Sequence, residues 1–145
     1  MDAMTKKDLQ IIATKIRMAI IEGTFHAKSG HPGGSLSIAE DMAYLYWKEM
    51  NIDPANPDWA DRDRFVLSKG HSMEAYYAVL CAKGFLDLED VKQNFSRFGS
   101  QYIGHPNNKL PGIEMNSGSL GHGLPVCVGM ALAGKMDKKD YRVYT

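Results

Sequence analysis

The sequence predicts an α/β fold in which a parallel sheet is flanked by helices, with more helix than strand. Segments with the period of amphipathic helices alternate with two short apolar strands, at 65–67 and 141–145. These strands are widely separated along the chain, which favours a parallel α/β arrangement over a helical bundle. With 145 residues, of which 44% are hydrophobic, the chain is long enough for one domain with its own core.

The first predicted element is a long amphipathic helix over residues 5–28. Apolar side chains recur there at helical spacing, and Thr5 is suited to cap the start. Three glycines and a proline then bar residues 28–35 from continuing the helix. We therefore expect a turn at this point, with His31 inside it.

The next part of the chain predicts a second helix, a surface connection and the first strand. Ser37 and Glu40 have capping-box spacing for a helix that reaches about residue 50. Prolines and aspartates make residues 51–64 a solvated connection, and the aspartates match no calcium-loop spacing. The strand at 65–67 leads directly to His71. Because ligands of parallel sheets lie at the carboxyl ends of strands, His71 is placed where a site is expected.

The second half of the chain predicts three helices, one long loop and the start of a strand. Pro125 suits the first turn of the last helix, and the loop contains glycine, proline and asparagine without periodicity. The predicted elements are a helix at 72–83 closed by Gly84, a helix at 88–98, a loop at 99–119, a helix at 126–136 and a strand at 141–145.

The histidines are the main candidates for chemistry. Among the five, His31, His105 and His122 lie in glycine-rich loops and His71 follows a strand, while His26 lies within a helix and is expected to be structural. Glycine permits close approach of the backbone to a ligand, and an imidazole can donate or accept a hydrogen bond near neutral pH. This combination suits a polyhydroxylated or carbonyl substrate.

Composition excludes several classes of function. The 17 basic and 17 acidic residues balance, without the basic excess of a nucleic-acid-binding protein. No apolar stretch approaches the about 18 residues of a membrane helix, and the amino terminus lacks the pattern of a signal peptide. Cys81 and Cys127 are expected to be free, buried thiols. We expect a cytoplasmic protein that binds neither nucleic acid nor membrane.

Four motifs, taken together and in order, resemble the amino-terminal region of transketolases. A Gly-x-x-Gly-x-Gly loop alone would be a weak signal, but four motifs in register are specific. The form of the last motif is similar to that of split bacterial and archaeal transketolases, in which two halves are separate polypeptides. The motifs are Ser29-Gly30-His31-Pro32-Gly33-Gly34, Arg64-Phe65-Val66-Leu67-Ser68-Lys69-Gly70-His71, Gly104-His105-Pro106, and Leu110-Pro111-Gly112-Ile113-Glu114 leading into Gly118-Ser119-Leu120-Gly121-His122-Gly123.

The resemblance implies a partial thiamine diphosphate-binding fold and a transferase. Such an enzyme moves a two-carbon ketol unit from a ketose phosphate to an aldose phosphate. By resemblance, His31 and His105 are catalytic and bind the C1 hydroxyl and carbonyl oxygen of the donor. His71 is both catalytic and cofactor-binding, near the diphosphate.

The resemblance also assigns the last glycine-rich loop to the cofactor. Gly118 and Leu120 are expected to contact the aminopyrimidine, and Gly121 to keep the turn tight. His122 stands where many full-length relatives have glutamine, so a supporting or packing role is expected for its side chain.

The resemblance further implies groups that these residues do not supply. Residues 1–145 correspond to the amino-terminal part of the diphosphate-binding domain, incomplete at the carboxyl end. The ligands of Mg²⁺ or Ca²⁺ are expected beyond residue 145, and none within it. The glutamate that activates the aminopyrimidine is expected from the carboxyl-terminal transketolase half, a separate subunit, in a homo-oligomer or heterotetramer.

Two alternatives remain open from the sequence. One is a non-catalytic assembly or binding module that keeps the fold but lacks the metal site. The other is an enzyme similar to 1-deoxyxylulose 5-phosphate synthase, which shares the cofactor. The preferred sugars, and whether the chain is part of a longer subunit or a short protein, also remain open.

Overall fold

A computed structural model describes residues 4–145 as a helix-rich fold with a short parallel sheet, which confirms the predicted fold class. A π-helical turn, Leu45–Glu49, continues the third helix. The elements are α1 (Lys6–Ala27), α2 (Pro32–Leu36), α3 (Ala39–Tyr44), β1 (Arg64–Phe65), α4 (Met73–Lys83), α5 (Leu88–Asn94), α6 (Gly123–Met136) and β2 (Val143–Tyr144).

The sheet consists of β1 and β2, which run parallel. Arg64 lies opposite Val143, and the Val66 amide extends the ladder by donating to the Tyr144 carbonyl at 2.9 Å. The observed strand therefore begins one residue earlier and ends two residues earlier than the predicted 65–67. Beyond the strand, the Leu67 carbonyl accepts a hydrogen bond from Ser117 Oγ at 2.6 Å.

Helix α4 is the centre of the core. It contacts α1, α2, α3 and α5, and every residue from 73 to 80 is buried. A helix surrounded on all sides buries its whole circumference, which explains why its sequence shows no polar face. Its N-cap, Ser72, directly follows His71, so α4 anchors one of the candidate histidines. The helix ends where predicted, at Gly84, whose φ of 90° is left-handed.

Helix α1 has the predicted cap. The Asp8 amide donates to Thr5 Oγ1 at 3.2 Å, and the Thr5 amide donates to Asp8 Oδ2 at 2.9 Å. After the helix ends, the chain does not form a simple turn as expected, because residues 32–36 make the short helix α2. Pro32 suits the first position of a helix, where no backbone donor is needed, and His31 becomes its N-cap residue.

The capping box predicted at Ser37 does not form. Ser37 is the C-cap of α2 with φ −67° and ψ −17°, so it lacks the extended backbone of an N-cap residue. Its hydroxyl donates to the Gly34 carbonyl at 2.8 Å and accepts from Lys69 Nζ at 2.9 Å. Glu40 instead forms an ion pair with Arg17.

The remaining predicted helices differ at their ends. Helix α5 stops four residues before the predicted 98, because the backbone of its C-cap, Phe95, is extended at ψ 128°, and Ser96 follows with a left-handed φ of 58°. Helix α6 starts at Gly123, three residues before the predicted 126. Both cysteines are free; Cys127 is buried and Cys81 half-buried. No helix within residues 4–145 has the length and apolarity needed to cross a membrane.

A buried carboxylate ties the sheet to the 51–64 connection. Asp63 Oδ1 accepts from the Arg142 amide at 2.6 Å, and Asp63 Oδ2 accepts from the Asn51 amide at 2.8 Å. The connection as a whole lies at the surface as predicted, but this one aspartate is 7% exposed. Asp63 is thus a structural residue that holds β2 in place.

Candidate functional site

Three histidines from three separate loops lie side by side. The ring centroids of His31 and His71 are 5.3 Å apart, and those of His31 and His105 are 6.4 Å apart. His31 is exposed, and the other two are half-buried. We call His31, His71 and His105 the three-histidine cluster; its open side leaves the imidazoles accessible to a ligand.

The loop that carries His31 is held against α4 by a buried glutamate. The His31 amide donates to Glu74 Oε1 at 2.8 Å, and the hydroxyl of Ser35 donates to Glu74 Oε2 at 2.6 Å. Lys69, just before His71, supports the same segment by donating from Nζ to the Gly34 carbonyl at 3.0 Å. The loops of His31 and His71 are therefore joined by direct hydrogen bonds.

Glycine is required where α2 passes His71. A Cβ placed on Gly34 would lie 3.2 Å from His71 Nε2 and 2.5 Å from Ser72 Oγ. The second distance is shorter than any stable contact, so the backbone approaches this closely only because the side chain is absent. Ser72 is itself fully buried, and its hydroxyl has no hydrogen-bond partner among the described residues.

The segment that contains Ser117 and Gly118 packs against His105 and the end of β1. A Cβ on Gly118, whose φ is 155°, would lie 2.9 Å from His105 Cδ2. A Cβ on Gly70 would lie 2.9 Å from the Gly118 nitrogen, and Ser117 Oγ donates to the Leu67 carbonyl. The bare backbone of Gly118 thus packs beside the imidazole of His105, which also borders an open groove that includes Lys109.

The rest of the last glycine-rich loop is exposed. Leu120 has 69% of its surface accessible, and Gly121 has a left-handed φ of 86° with open space where a Cβ would point. His122 is the exposed N-cap of α6 and makes no capping bond with its side chain. The loop therefore presents an apolar side chain and a tight turn to solvent.

His26 lies apart from the three-histidine cluster. It is exposed in the last turn of α1, beside the ring of Phe25 at a centroid distance of 5.7 Å. A basic side chain is favourable near the carboxyl end of a helix, which agrees with a structural interpretation. Within residues 4–145, no group of three or more His, Cys, Asp or Glu residues is arranged to hold a metal ion.

Sequence reasoning missed the side chains that hold the cluster in place: Ser35, Lys69 and Glu74. The one signal available was that Glu74 is the single charged residue in the otherwise apolar run 73–80. A charge in such a run requires a partner. The partner's position, 43 residues earlier, could not be read from local patterns.

The cluster can bind and polarise an oxygen-rich ligand. Three imidazoles supply hydrogen-bond donors or acceptors from different directions, and each adjoins a loop in which glycine bares the backbone. Donors fixed in advance around a carbonyl stabilise negative charge that develops on its oxygen.

Comparisons with known proteins identify relatives along nearly the whole chain. Residues 8–143 match the family described as "Transketolase, thiamine diphosphate binding domain". One subunit of the apulose-4-phosphate transketolase of Phocaeicola vulgatus is 48% identical over 97% of this chain and 50% of its own length. The 6-deoxy-6-sulfo-D-fructose transketolase subunit SqwG of a Clostridium species is 45% identical over 95% of this chain and 50% of its own.

The solved structures that this fold resembles are also transketolases. Transketolase from Campylobacter jejuni superposes with a TM-score of 0.91 at 33% identity, over 97% of this chain and 23% of that one. Transketolase from Leishmania mexicana gives a TM-score of 0.80 at 35% identity, over 90% of this chain and 19% of that one. The chain therefore spans half or less of the length of each of these relatives.

Proposed function

The chain belongs to the transketolase family by its thiamine diphosphate-binding domain, and we propose that it is part of a thiamine diphosphate-dependent transketolase. The proposed reaction transfers a two-carbon ketol unit from a ketose phosphate to an aldose phosphate. The observation that carries this proposal is the three-histidine cluster, in which imidazoles 31, 71 and 105 in sequence come within 6.4 Å of a neighbouring ring.

The residues present fit the cofactor that the family name implies. A Cβ on Gly33, Gly104 or Gly121 would meet no atom within 4 Å, so the loops beside the histidines leave room for a ligand. The exposed Leu120 offers an apolar contact for an aromatic ring. We propose that His71, Gly118, Leu120 and Gly121 bind the cofactor. When bound, thiamine diphosphate supplies a carbon nucleophile and accepts the electron pair released by C2–C3 cleavage.

His31 and His105 are proposed to act on the sugar donor. Each imidazole donates a hydrogen bond, one to the C1 hydroxyl and one to the carbonyl oxygen. The donor to the carbonyl stabilises the negative charge that builds on that oxygen during bond making. Because both rings are held by their loops before substrate arrives, little reorganisation is needed at the moment of reaction.

The proposal extends to groups outside the described residues. We propose that residues 1–145 form the amino-terminal part of the diphosphate-binding domain, with Mg²⁺ or Ca²⁺ held by ligands beyond residue 145. A carboxyl-terminal transketolase half is proposed as a separate partner subunit, in a homo-oligomer or heterotetramer. The names of two relatives as transketolase subunits support a partner. Cytoplasmic placement is part of the same proposal.

Product analysis tests the reaction. The complete protein is mixed with its complementary half, thiamine diphosphate and Mg²⁺, and offered either xylulose 5-phosphate with ribose 5-phosphate or pyruvate with glyceraldehyde 3-phosphate. Ketol transfer with the first pair, abolished by removing the cofactor, is the expected result. Activity with the second pair alone would favour a deoxyxylulose-phosphate synthase. Cofactor binding without either activity would favour a non-catalytic module.

A further inference from the structure

Glu74 is a buried carboxylate whose two oxygens are both used by one loop. It is 4% exposed, in the first turn of α4. Oε1 accepts from the His31 amide at 2.8 Å, and Oε2 accepts from Ser35 Oγ at 2.6 Å. A carboxylate at this depth is unfavourable unless hydrogen bonds replace its water shell. The partners that replace it here are the two ends of the His31 segment.

No cation shares this role among residues 4–145. The ion pairs formed by Lys and Arg in that range involve other carboxylates. The position of Glu74 in the first turn of α4 compensates part of its charge, because free helix N–H groups favour an anion. The carboxylate is thus suited to hold neutral donors, namely a backbone amide and a hydroxyl, and not an ion pair.

The backbone next to His31 is shaped by the same carboxylate. Gly30 has φ 142°, and a Cβ there would collide with Glu74 Oε1 and lie 2.7 Å from Thr24 Cγ2. Gly30 therefore passes between α1 and the Glu74 side chain with no space to spare. His71 immediately precedes the N-cap of α4, so α4 carries both His71 and the group that holds His31. One rigid element sets the 5.3 Å separation of the two rings.

We propose that Glu74 is a positioning residue for His31. Its carboxylate fixes the His31 amide and Ser35 hydroxyl, and through them the direction of the His31 imidazole toward His71 and His105. Glu74 contacts neither substrate nor cofactor in this role. The effect on catalysis rests on the proposed function, whereas the effect on the geometry of His31 does not.

Three variants in the complete protein separate positioning from packing. Glu74→Gln retains an acceptor for the His31 amide and offers its NH₂ group to Ser35 Oγ, which can accept. Glu74→Met keeps a chain of similar length but leaves both donors without a partner. Ser35→Ala removes the contact at Oε2 alone. The conservative variant should therefore rescue what Glu74→Met loses.

Asp63 offers a matched control. It is likewise a buried carboxylate that accepts two hydrogen bonds, at 2.8 and 2.6 Å, but it joins the 51–64 connection to β2 and contacts no histidine loop. Asp63→Asn replaces one acceptor with a donor that faces a backbone N–H. It should lower stability as a packing defect would, with no effect on His31.

The first readout is the amide and ring resonances of His31 in isotope-labelled protein without substrate. We expect them to shift in Glu74→Met, to shift less in Ser35→Ala, and to stay in place in Glu74→Gln and Asp63→Asn. The second readout is kcat in the assembled enzyme with cofactor and Mg²⁺. We expect a loss of about tenfold or more in Glu74→Met, with the cofactor Kd changed far less, since a misplacement near 1 Å can cost about 100-fold.

The outcomes decide the proposal in either direction. Unchanged His31 resonances in a folded Glu74→Met, equal damage in Glu74→Gln and Glu74→Met, or an equal shift in Asp63→Asn would each overturn it. If Glu74→Met does not fold, Ser35→Ala decides, because unchanged His31 resonances there refute the role. If wild-type protein transfers no ketol unit while the resonances still shift, the positioning role stands and the proposed function fails.

Discussion

Substituting Gly118 with alanine should displace His105, and the size of the displacement follows from the structure. The added Cβ would lie 2.9 Å from His105 Cδ2. Carbon atoms pack at about 3.5–4.0 Å, so the ring or the loop must move by about 0.6–1.1 Å. A misplacement of 1 Å in a catalytic group can cost about 100-fold in rate, so we expect kcat to fall by about 10- to 100-fold. The φ of 155° adds backbone strain of about 1–3 kcal/mol to the cost in stability.

The assay is ketol transfer from xylulose 5-phosphate to ribose 5-phosphate by the complete enzyme, together with the ring resonances of His105. Gly121→Ala is the matched control for strain, because its φ of 86° is also unfavourable for alanine while its Cβ would meet open space. Gly121→Ala should lose stability and leave the His105 resonances in place. A folded Gly118→Ala with wild-type kcat and unmoved His105 resonances would refute the steric argument, as would an equal displacement of His105 by Gly121→Ala.

Three further predictions concern catalysis, an ion pair and a thiol. His105→Ala should lower kcat by about 100-fold or more, with a smaller change in cofactor affinity measured by calorimetry. As a control, substitution of the exposed His26 with alanine should leave kcat and cofactor affinity unchanged. Wild-type turnover in His105→Ala would remove His105 from the mechanism. Arg62 forms two 2.8 Å hydrogen bonds with the half-buried Glu114. Arg62→Met should therefore lower the free energy of unfolding in urea by about 3–5 kcal/mol, and the double variant with Glu114→Leu should recover most of that loss. Equal stability of the single and double variants would contradict the role of the ion pair. Burial raises the pKa of the Cys81 thiol to about 12. Folding therefore favours the protonated thiol, and the stability gained in this way is complete below about pH 9 and is lost between about pH 9 and 12. Cys81→Ala should show a shallower decline of the urea midpoint over that pH range, and an unchanged decline would contradict the raised pKa.

Local patterns predicted the elements whose signals are local. Thr5 and Gly84 bound helices as expected, because a capping side chain and a left-handed glycine act within a few residues. The motifs also singled out His31, His71 and His105, whose imidazoles do lie together; their chemical roles remain predictions.

Long-range contacts account for what local patterns missed. Ser37 has the spacing of a capping residue, but a hydrogen bond from Lys69, 32 residues away, and the helical backbone of α2 assign it to another role. The Leu67 carbonyl, at the end of the strand expected at 65–67, accepts its hydrogen bond from Ser117, 50 residues later. The role of Glu74 also depends on distant residues, because it meets its hydrogen-bond partners only when the His31 loop is folded against α4. Such hydrogen bonds depend on which segments pack together in the folded protein, and local sequence propensity does not predict that packing.

The bond between Asp63 and the Arg142 amide has a consequence for the order in which the chain folds. It joins groups 79 residues apart, whereas the bond from the His31 amide to Glu74 joins groups 43 apart. Chain entropy makes the longer closure costlier by only about 0.5 kcal/mol, so it adds little to the equilibrium cost of forming the sheet. Contacts of shorter separation are nevertheless formed sooner during the search for the native state. Packing of α1 against α4, which brings the imidazoles of His31 and His71 side by side, is thus favoured before β2 docks.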